Sequence, residues 1–257
     1  MTVQNNVLVR IEPGPVAARV SNVLIDLRDV RAAFEREAHI CRELAQAAAP
    51  VPSPLGRAEP FVHQGRTVTL WEWLDGTTGA GEPAEAARAL RSCHEALMST
   101  SEPLDPWDRL REARESFTPR APSAVREELE RLGAAAHDCV IEIRDGLRPV
   151  HGDAYPGNIM WTVQGPFLID WEDAHLAPVE WDLACLVYYA RTFGGDFGWA
   201  DAALGAYGGD WDHDRLERCL TARGFQGAAY MAALSAARPE LGAGLEPRLA
   251  WLRERLL

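Results

Sequence analysis

From Val150 to Ala174 the chain reads V-H-G-D-A-Y-P-G-N-I-M-W-T-V-Q-G-P-F-L-I-D-W-E-D-A. His151, Asp153, Asn158 and Asp170 stand there among short apolar runs, where burying a polar group is costly. The Pro156-Gly157 pair favours a tight turn that brings the side chains of Asp153 and Asn158 near each other. I-M-W and F-L-I-D read as the strands of a short hairpin around T-V-Q-G-P, which places Asp170 at the end of the second strand. Such a hairpin lets Asn158 and Asp170 direct oxygen ligands at one hard cation while Asp153 stays available to accept a proton. Phosphoryl transfer to an alcohol needs that division: one carboxylate to orient the hydroxyl, and an Asn-Asp pair to hold magnesium on the phosphates.

A second set of residues lies near the front of the chain. Val30, Phe34, Cys41 and Leu44 recur at helical spacing as one apolar seam, and Glu37 falls on it. A carboxylate on a buried face needs a cation or donors, and Arg19 on the preceding strand is the nearest partner. A strand cation paired with a helix glutamate positions nucleotide phosphates in kinases. The competing reading puts Glu37 at the edge of the helix, in water.

The elements that must position these groups divide into a strand-rich front and a helix-rich back. V-L-V-R-I (7 to 11) and P-V-A-A-R-V (15 to 20) flank E-P-G-P as a hairpin. A helix is predicted from about Asp29 to Ala48, then a second hairpin turning at Gln64-Gly65. Asp75-Gly76-Thr77-Thr78-Gly79-Ala80-Gly81 is small and turn-prone, marking a hinge. Beyond it, A-E-A-A-R-A-L-R-S-C-H-E-A-L, the Arg109 to Arg131 region and most of 179 to 257 read as helices, and the hairpin after Asn158 carries the only strand signals. The pattern predicts an α+β chain with a smaller β-rich lobe over 1–74 and a larger, mainly helical lobe over 75–257.

Composition narrows the partners. The 257 residues are 47% apolar with nine Trp, enough for a core in one large domain or two small lobes. A net charge of −12 repels nucleic acid and anionic membrane and attracts cations, although it also serves solubility. The N-terminus lacks a basic-then-apolar signal pattern and Leu183 to Ala190 is too short to cross a bilayer, so a soluble cytoplasmic protein is expected. Cys41, Cys93, Cys139, Cys185 and Cys219 are odd in number and scattered, which suggests reduced, packed thiols. All 26 basic residues are Arg. Asp210, Asp212, His213 and Asp214 could suggest a metal but read more simply as an N-cap and acidic first turn. His94 reads as a core histidine between Leu90 and Leu97, whereas His63, His137 and His175 lack any regular partner. No Ser-His-Asp or G-x-S-x-G arrangement points to a hydrolase.

H-G-D-A-Y-P-G-N-I-M-W, followed in order by F-L-I-D-W-E-D-A and P-V-E-W-D-L-A, resembles the aminoglycoside phosphotransferase and choline kinase-like family. F-E-R-E-A-H-I-C-R-E-L, T-L-W-E-W-L-D-G and A-L-R-S-C-H-E-A-L echo it more weakly, so the likeness reaches to about residue 190. The resemblance implies a bilobal protein-kinase-like fold, ATP as phosphoryl donor with GTP as an alternative, and magnesium. It makes Asp153 the catalytic base, Asn158 and Asp170 the magnesium ligands, and His151 a structural member of the catalytic loop. Asp182 would brace that loop, or serve as a first-turn helix carboxylate, or both. Adenine would dock on the linker backbone at Glu72 and Leu74.

Two departures stand out. The family's nucleotide-binding lysine cannot exist in a chain without Lys, and Arg19 takes its place, keeping the charge in a bulkier, forked form. Glu12-Pro13-Gly14-Pro15 replaces any recognisable glycine-rich phosphate loop. An antibiotic O-phosphotransferase conferring resistance is the leading expectation. A metabolic kinase for choline, a sugar or an amino alcohol, and a nucleotide-binding pseudokinase, are the alternatives. Glu172 and Asp173 follow Asp170 closely and are expected at the acceptor mouth. Asp196, Asp201, Asp210, Asp212 and Asp214 lie in segments that, in the family, build the acceptor pocket, so a cationic acceptor is expected.

Overall fold

The computed structural model describes residues 6–21, 30–56, 59–106, 109–193 and 195–257. In chain order its elements are β1 (Asn6–Ile11), β2 (Val16–Ser21), α1 (Val30–Gln46), β3 (Phe61–His63), β4 (Arg66–Glu72), β5 (Gly76–Thr78), α2 (Pro83–Leu97) and α3 (Arg109–Glu112). They continue as α4 (Ser123–Val140), β6 (Arg148–Val150), β7 (Ile159–Thr162), β8 (Gly165–Leu168), β9 (His175–Ala177), α5 (Val179–Arg191), α6 (Phe197–Tyr207), α7 (His213–Ala237) and α8 (Leu245–Leu256). The Asp29 start expected for the first helix lies outside the described residues.

Two compact units divide the chain: 1–104 with 151–175 and 205–207, and 105–150 with 176–204 and 208–257. In the first, an antiparallel sheet runs in the order β1-β2-β4-β3, with Leu8 opposite Arg19 and Arg19 opposite Thr69. Both expected hairpins are present, and Gln64 and Gly65 turn the second with positive φ. Helix α1 buries Phe34, Ala38, Ile40, Cys41 and Leu44 against β4 and the turn Trp171–Asp173. Each fully buried Leu, Ile or Phe on that seam contributes about 1.5–3 kcal/mol, which offsets carrying Glu37 on the same face. Helix α2 packs on β8 and α1. These contacts group 75–104 and 151–175 with the N-terminal sheet, a different grouping from a cut at residue 74.

The glycine-rich segment expected as a hinge is partly strand. β5 pairs with β7, and β7 pairs with β8, with Ile159 opposite Leu168. Gly76 is required there because a Cβ would come within 2.2 Å of the Trp161 carbonyl. Two further short strands, β6 and β9, also escape the sequence pattern, since three residues are too few to show alternation.

The second unit is helical, with α4, α5 and α8 laid on the long helix α7. The helix expected over Arg109 to Arg131 is broken: α3 passes into a π-turn at Ala113–Phe117 and a 3-10 turn at Thr118–Arg120, and α4 starts after Pro122. None of the five cysteines is in a disulfide, and four of them are buried. Among the described residues no helix is long and apolar enough to cross a membrane.

Candidate active site

His151 to Asn158 form a loop shaped by its own backbone. The His151 ring is fully buried: Nδ1 accepts the Asp153 N–H at 3.2 Å, so the proton sits on Nε2, which donates to the Ile169 carbonyl at 3.0 Å. The ring also packs on Trp171, centroids 4.4 Å apart. Gly152 has φ of 89°, and a Cβ there would stand 2.1 Å from the Asp173 carbonyl oxygen. The loop before Asp153 therefore lies directly against the turn that follows Asp170. The Asp153 carbonyl accepts from Tyr155 N–H (2.8 Å) and from Asn158 Nδ2 (2.9 Å), and Nδ2 also reaches Asp153 Oδ2 at 3.2 Å. Asn158 spends its amide hydrogens on Asp153, which leaves Oδ1 as its cation-binding atom.

β8 ends at Leu168, and Ile169 N–H donates to the Asn158 carbonyl at 3.0 Å, so Asp170 emerges beside the loop. Asp170 adopts left-handed backbone (φ 69°), uncommon for a residue with a side chain and often found where a site over-determines the chain. Its carboxylate is 37% exposed, which leaves a face open to a ligand.

Arg19 ties this turn to the sheet and to α1. Nη1 donates to Glu37 Oε1, while Nη2 donates to Asp170 Oδ1 at 2.6 Å and Glu172 Oε2 at 3.0 Å. The guanidinium carbon sits 5.0 Å from the Phe34 ring centroid. Glu37 is 3% exposed and also accepts the Trp171 N–H at 3.2 Å. It is therefore a buried, paired carboxylate, and the reading that put it in water does not hold. Asn158 Oδ1 and the open face of Asp170 have the hard-oxygen chemistry that suits magnesium. Among the described residues no three or more His, Cys, Asp or Glu are grouped to hold a metal ion, so a cation there must complete its shell with phosphate and water oxygens, as magnesium commonly does.

Three carboxylates around one guanidinium leave excess negative charge in a buried place. Burial pushes the Glu37 carboxyl up to about 7; Arg19 opposes this and Asp170 adds to it. Burial, with Asp170 next, pushes Glu172 up to about 8. Burial alone would lower the Arg19 pKa, but Asp170, Glu37 and Glu172 together raise it above its ordinary value. A carboxyl whose folded pKa exceeds its unfolded one binds more protons in the folded state, so its contribution to stability is full below about 4.5 and is lost as pH rises through about 7. The melting temperature of the metal-free protein is expected to fall from pH 5 to pH 8, and to fall less in Glu37→Gln. Parallel melting curves for the two proteins across that range would show that Glu37 titrates normally.

The remaining expected residues are placed as follows. Glu72 is exposed at the end of β4, but its N–H donates to the Ser53 carbonyl at 2.9 Å, so that donor is committed within the chain; Leu74 is half-buried just beyond. Asp173 is half-buried, its carbonyl accepting from His175 Nδ1 at 2.6 Å. His175 thus has a regular partner that the sequence did not reveal. His94 is buried against the Tyr207 hydroxyl at 2.9 Å, as a core histidine should be. Glu172, expected near the mouth of the phosphoryl-transfer site, has its side chain 16% exposed and faces Arg19. In the second unit Asp182 is fully buried in the first turn of α5. Asp196 and Asp212 cap α6 and α7, Asp214 lies in the first turn of α7, and Asp201 pairs with Arg191 at 3.0 Å. The sequence signalled the 210–214 caps but not Asp196. Trp171, whose ring supports His151 and whose N–H meets Glu37, went unrecognised, although it directly follows Asp170.

A family model described as "Phosphotransferase enzyme family" matches residues 4–218. The chain belongs to that family. It is a small-molecule kinase, and three solved structures share its protein-kinase-like fold. A choline/ethanolamine kinase family protein from Mesorhizobium loti is 18% identical, with TM-score 0.71, over 99% of this chain and 86% of that one. An amicoumacin kinase, solved with AMP-PNP, Ca2+ and Ami, is 13% identical with TM-score 0.75 over 99% and 87%. An aminoglycoside phosphotransferase from Streptomyces rimosus, solved with ADP and streptomycin, is 22% identical with TM-score 0.63 over 85% and 90%. No curated protein matches the sequence.

Proposed function

We propose that this phosphotransferase moves the γ-phosphate of ATP to a hydroxyl of a small cationic antibiotic of the aminoglycoside or basic peptide type, in the cytoplasm, and thereby confers resistance. The observation that carries the chemistry is the direct packing of the Asp153 loop on the turn after Asp170, with Asn158 hydrogen-bonded to Asp153. Asp153 orients the acceptor hydroxyl and takes its proton as the oxygen attacks in line, without a covalent enzyme intermediate. Arg19 holds Asp170 and Glu37 in fixed relation on the nucleotide side. Magnesium, held by Asn158 and Asp170, would neutralise the phosphate charge that builds up during transfer.

A metabolic amino-alcohol kinase is the second reading, and the second unit favours it. Three of the five acids expected to attract a polycation are used as helix caps or in an ion pair. That unit instead gathers Tyr188, Tyr189, Phe193 and Trp251, with the Arg248 guanidinium 5.1 Å from the Phe193 ring and 5.7 Å from that of Tyr189. Aromatic faces that already accept one cation suit a small ammonium group.

A panel of aminoglycosides, basic peptide antibiotics, choline and ethanolamine, read by mass for an added phosphate, decides between them. The antibiotic reading expects phosphorylation within the first two classes and an acceptor KM that rises with salt, since exposed charges are screened over about 8 Å at physiological ionic strength. Phosphorylation of choline or ethanolamine alone establishes the second reading. A neutral or anionic acceptor overturns the cationic part of both.

A further inference from the structure

A guanidinium presents two terminal nitrogens where an ammonium presents one, and Glu172 meets the additional one. Arg19 Nη1 is taken by Glu37, while both hydrogens of Nη2 are taken, one by Asp170 Oδ1 (2.6 Å) and one by Glu172 Oε2 (3.0 Å). Glu172 lies in the Trp171–Asp173 turn, whose first residue donates its own N–H to Glu37. Glu37, Arg19, Asp170 and that turn thus close a ring of hydrogen bonds, and Glu172 fixes the orientation of the guanidinium within it.

We propose that Glu172 is a positioning residue for Arg19: by holding Nη2 it keeps the guanidinium over the Phe34 ring and aimed at Asp170. A forked, bulkier cation is thereby held in the place that an unbranched one would fill. Arg and Lys are not interchangeable where a fork is gripped on both sides, so this role belongs to Arg19 and should vanish with it. The side chain is largely turned from solvent and engaged by Arg19. The inference rests on the reading of this site as the MgATP site, and the test separates the two.

MgATP affinity is measured by calorimetry on the parent, Glu172→Gln, Arg19→Lys and the double variant, with the melting temperature of each. Glu172→Gln is expected to weaken MgATP about tenfold in the parent and less than about twofold in the Arg19→Lys background, a coupling typical of residues in one hydrogen-bonded network. Glu172→Asp, which keeps the charge on a shorter arm, is expected to recover part of the loss and serves as the probe if Glu172→Gln fails to fold. Equal weakening in both backgrounds, or a melting temperature that drops with affinity unchanged, overturns the positioning role while leaving the MgATP site intact. A folded parent that binds no MgATP overturns both.

Discussion

Asp153→Asn is expected to reduce turnover by about 100-fold or more, on the acceptor that the panel identifies, while MgATP affinity stays within about threefold of the parent. The size follows from what the substitution removes. Asparagine matches aspartate in shape and can keep the contact with Asn158, but it cannot accept the hydroxyl proton. The loop should survive, because its form is set by backbone: Asp153 N–H donates to His151, and its carbonyl is held by Tyr155 and Asn158. Affinity should survive because Asp153 is assigned to the acceptor and not to the metal. Single-turnover kinetics beside calorimetry separate the two quantities. Near-parental turnover in folded Asp153→Asn would remove the base from this residue, and a parallel collapse of MgATP affinity would place Asp153 among the metal ligands instead.

The parts of this site that are local in sequence were legible in it. H-G-D-A-Y-P-G-N carries its turn in Pro156-Gly157, and the following hairpin is marked by apolar runs around a short polar turn, so both could be read from neighbours along the chain. The pairing of Arg19 with Glu37 was also within reach, since a carboxylate on an apolar seam requires a nearby cation. What could not be read was the meeting of Arg19 with Asp170 and Glu172, which lie 151 and 153 residues away. Nothing in W-E-D distinguishes an acid facing water from one turned onto a buried guanidinium; only the fold decides. Asp75 to Gly81 misled for the opposite reason. Glycine signals both turns and close backbone approach, and here Gly76 and Gly81 make room for the Trp161 backbone and ring while β5 continues as strand. Several downstream acids attracted a functional reading that the helix ends claim, because an acid before a helix satisfies exposed N–H groups whatever else the protein does.

Asp170→Ala is expected to abolish the magnesium-dependent part of ATP binding, lowering MgATP affinity by about tenfold or more, to the level measured in chelator. A methyl group supplies no oxygen, and Asn158 alone gives a cation one neutral side-chain ligand. The same substitution should not cost stability. Arg19 keeps Glu37 and Glu172 as partners, and Asp170 is one of the charges that force both carboxyls upward, so its removal lets them ionise more readily beside the guanidinium. At pH 8, where the parent carries the most mutual repulsion, the melting temperature of Asp170→Ala should equal or exceed the parental one. A folded Asp170→Ala protein with parental MgATP affinity would send the metal elsewhere. A melting temperature several degrees lower at pH 8 would mean that Asp170 holds Arg19 in place by more than its charge costs, and that the cluster is a structural clamp first and a cation site second.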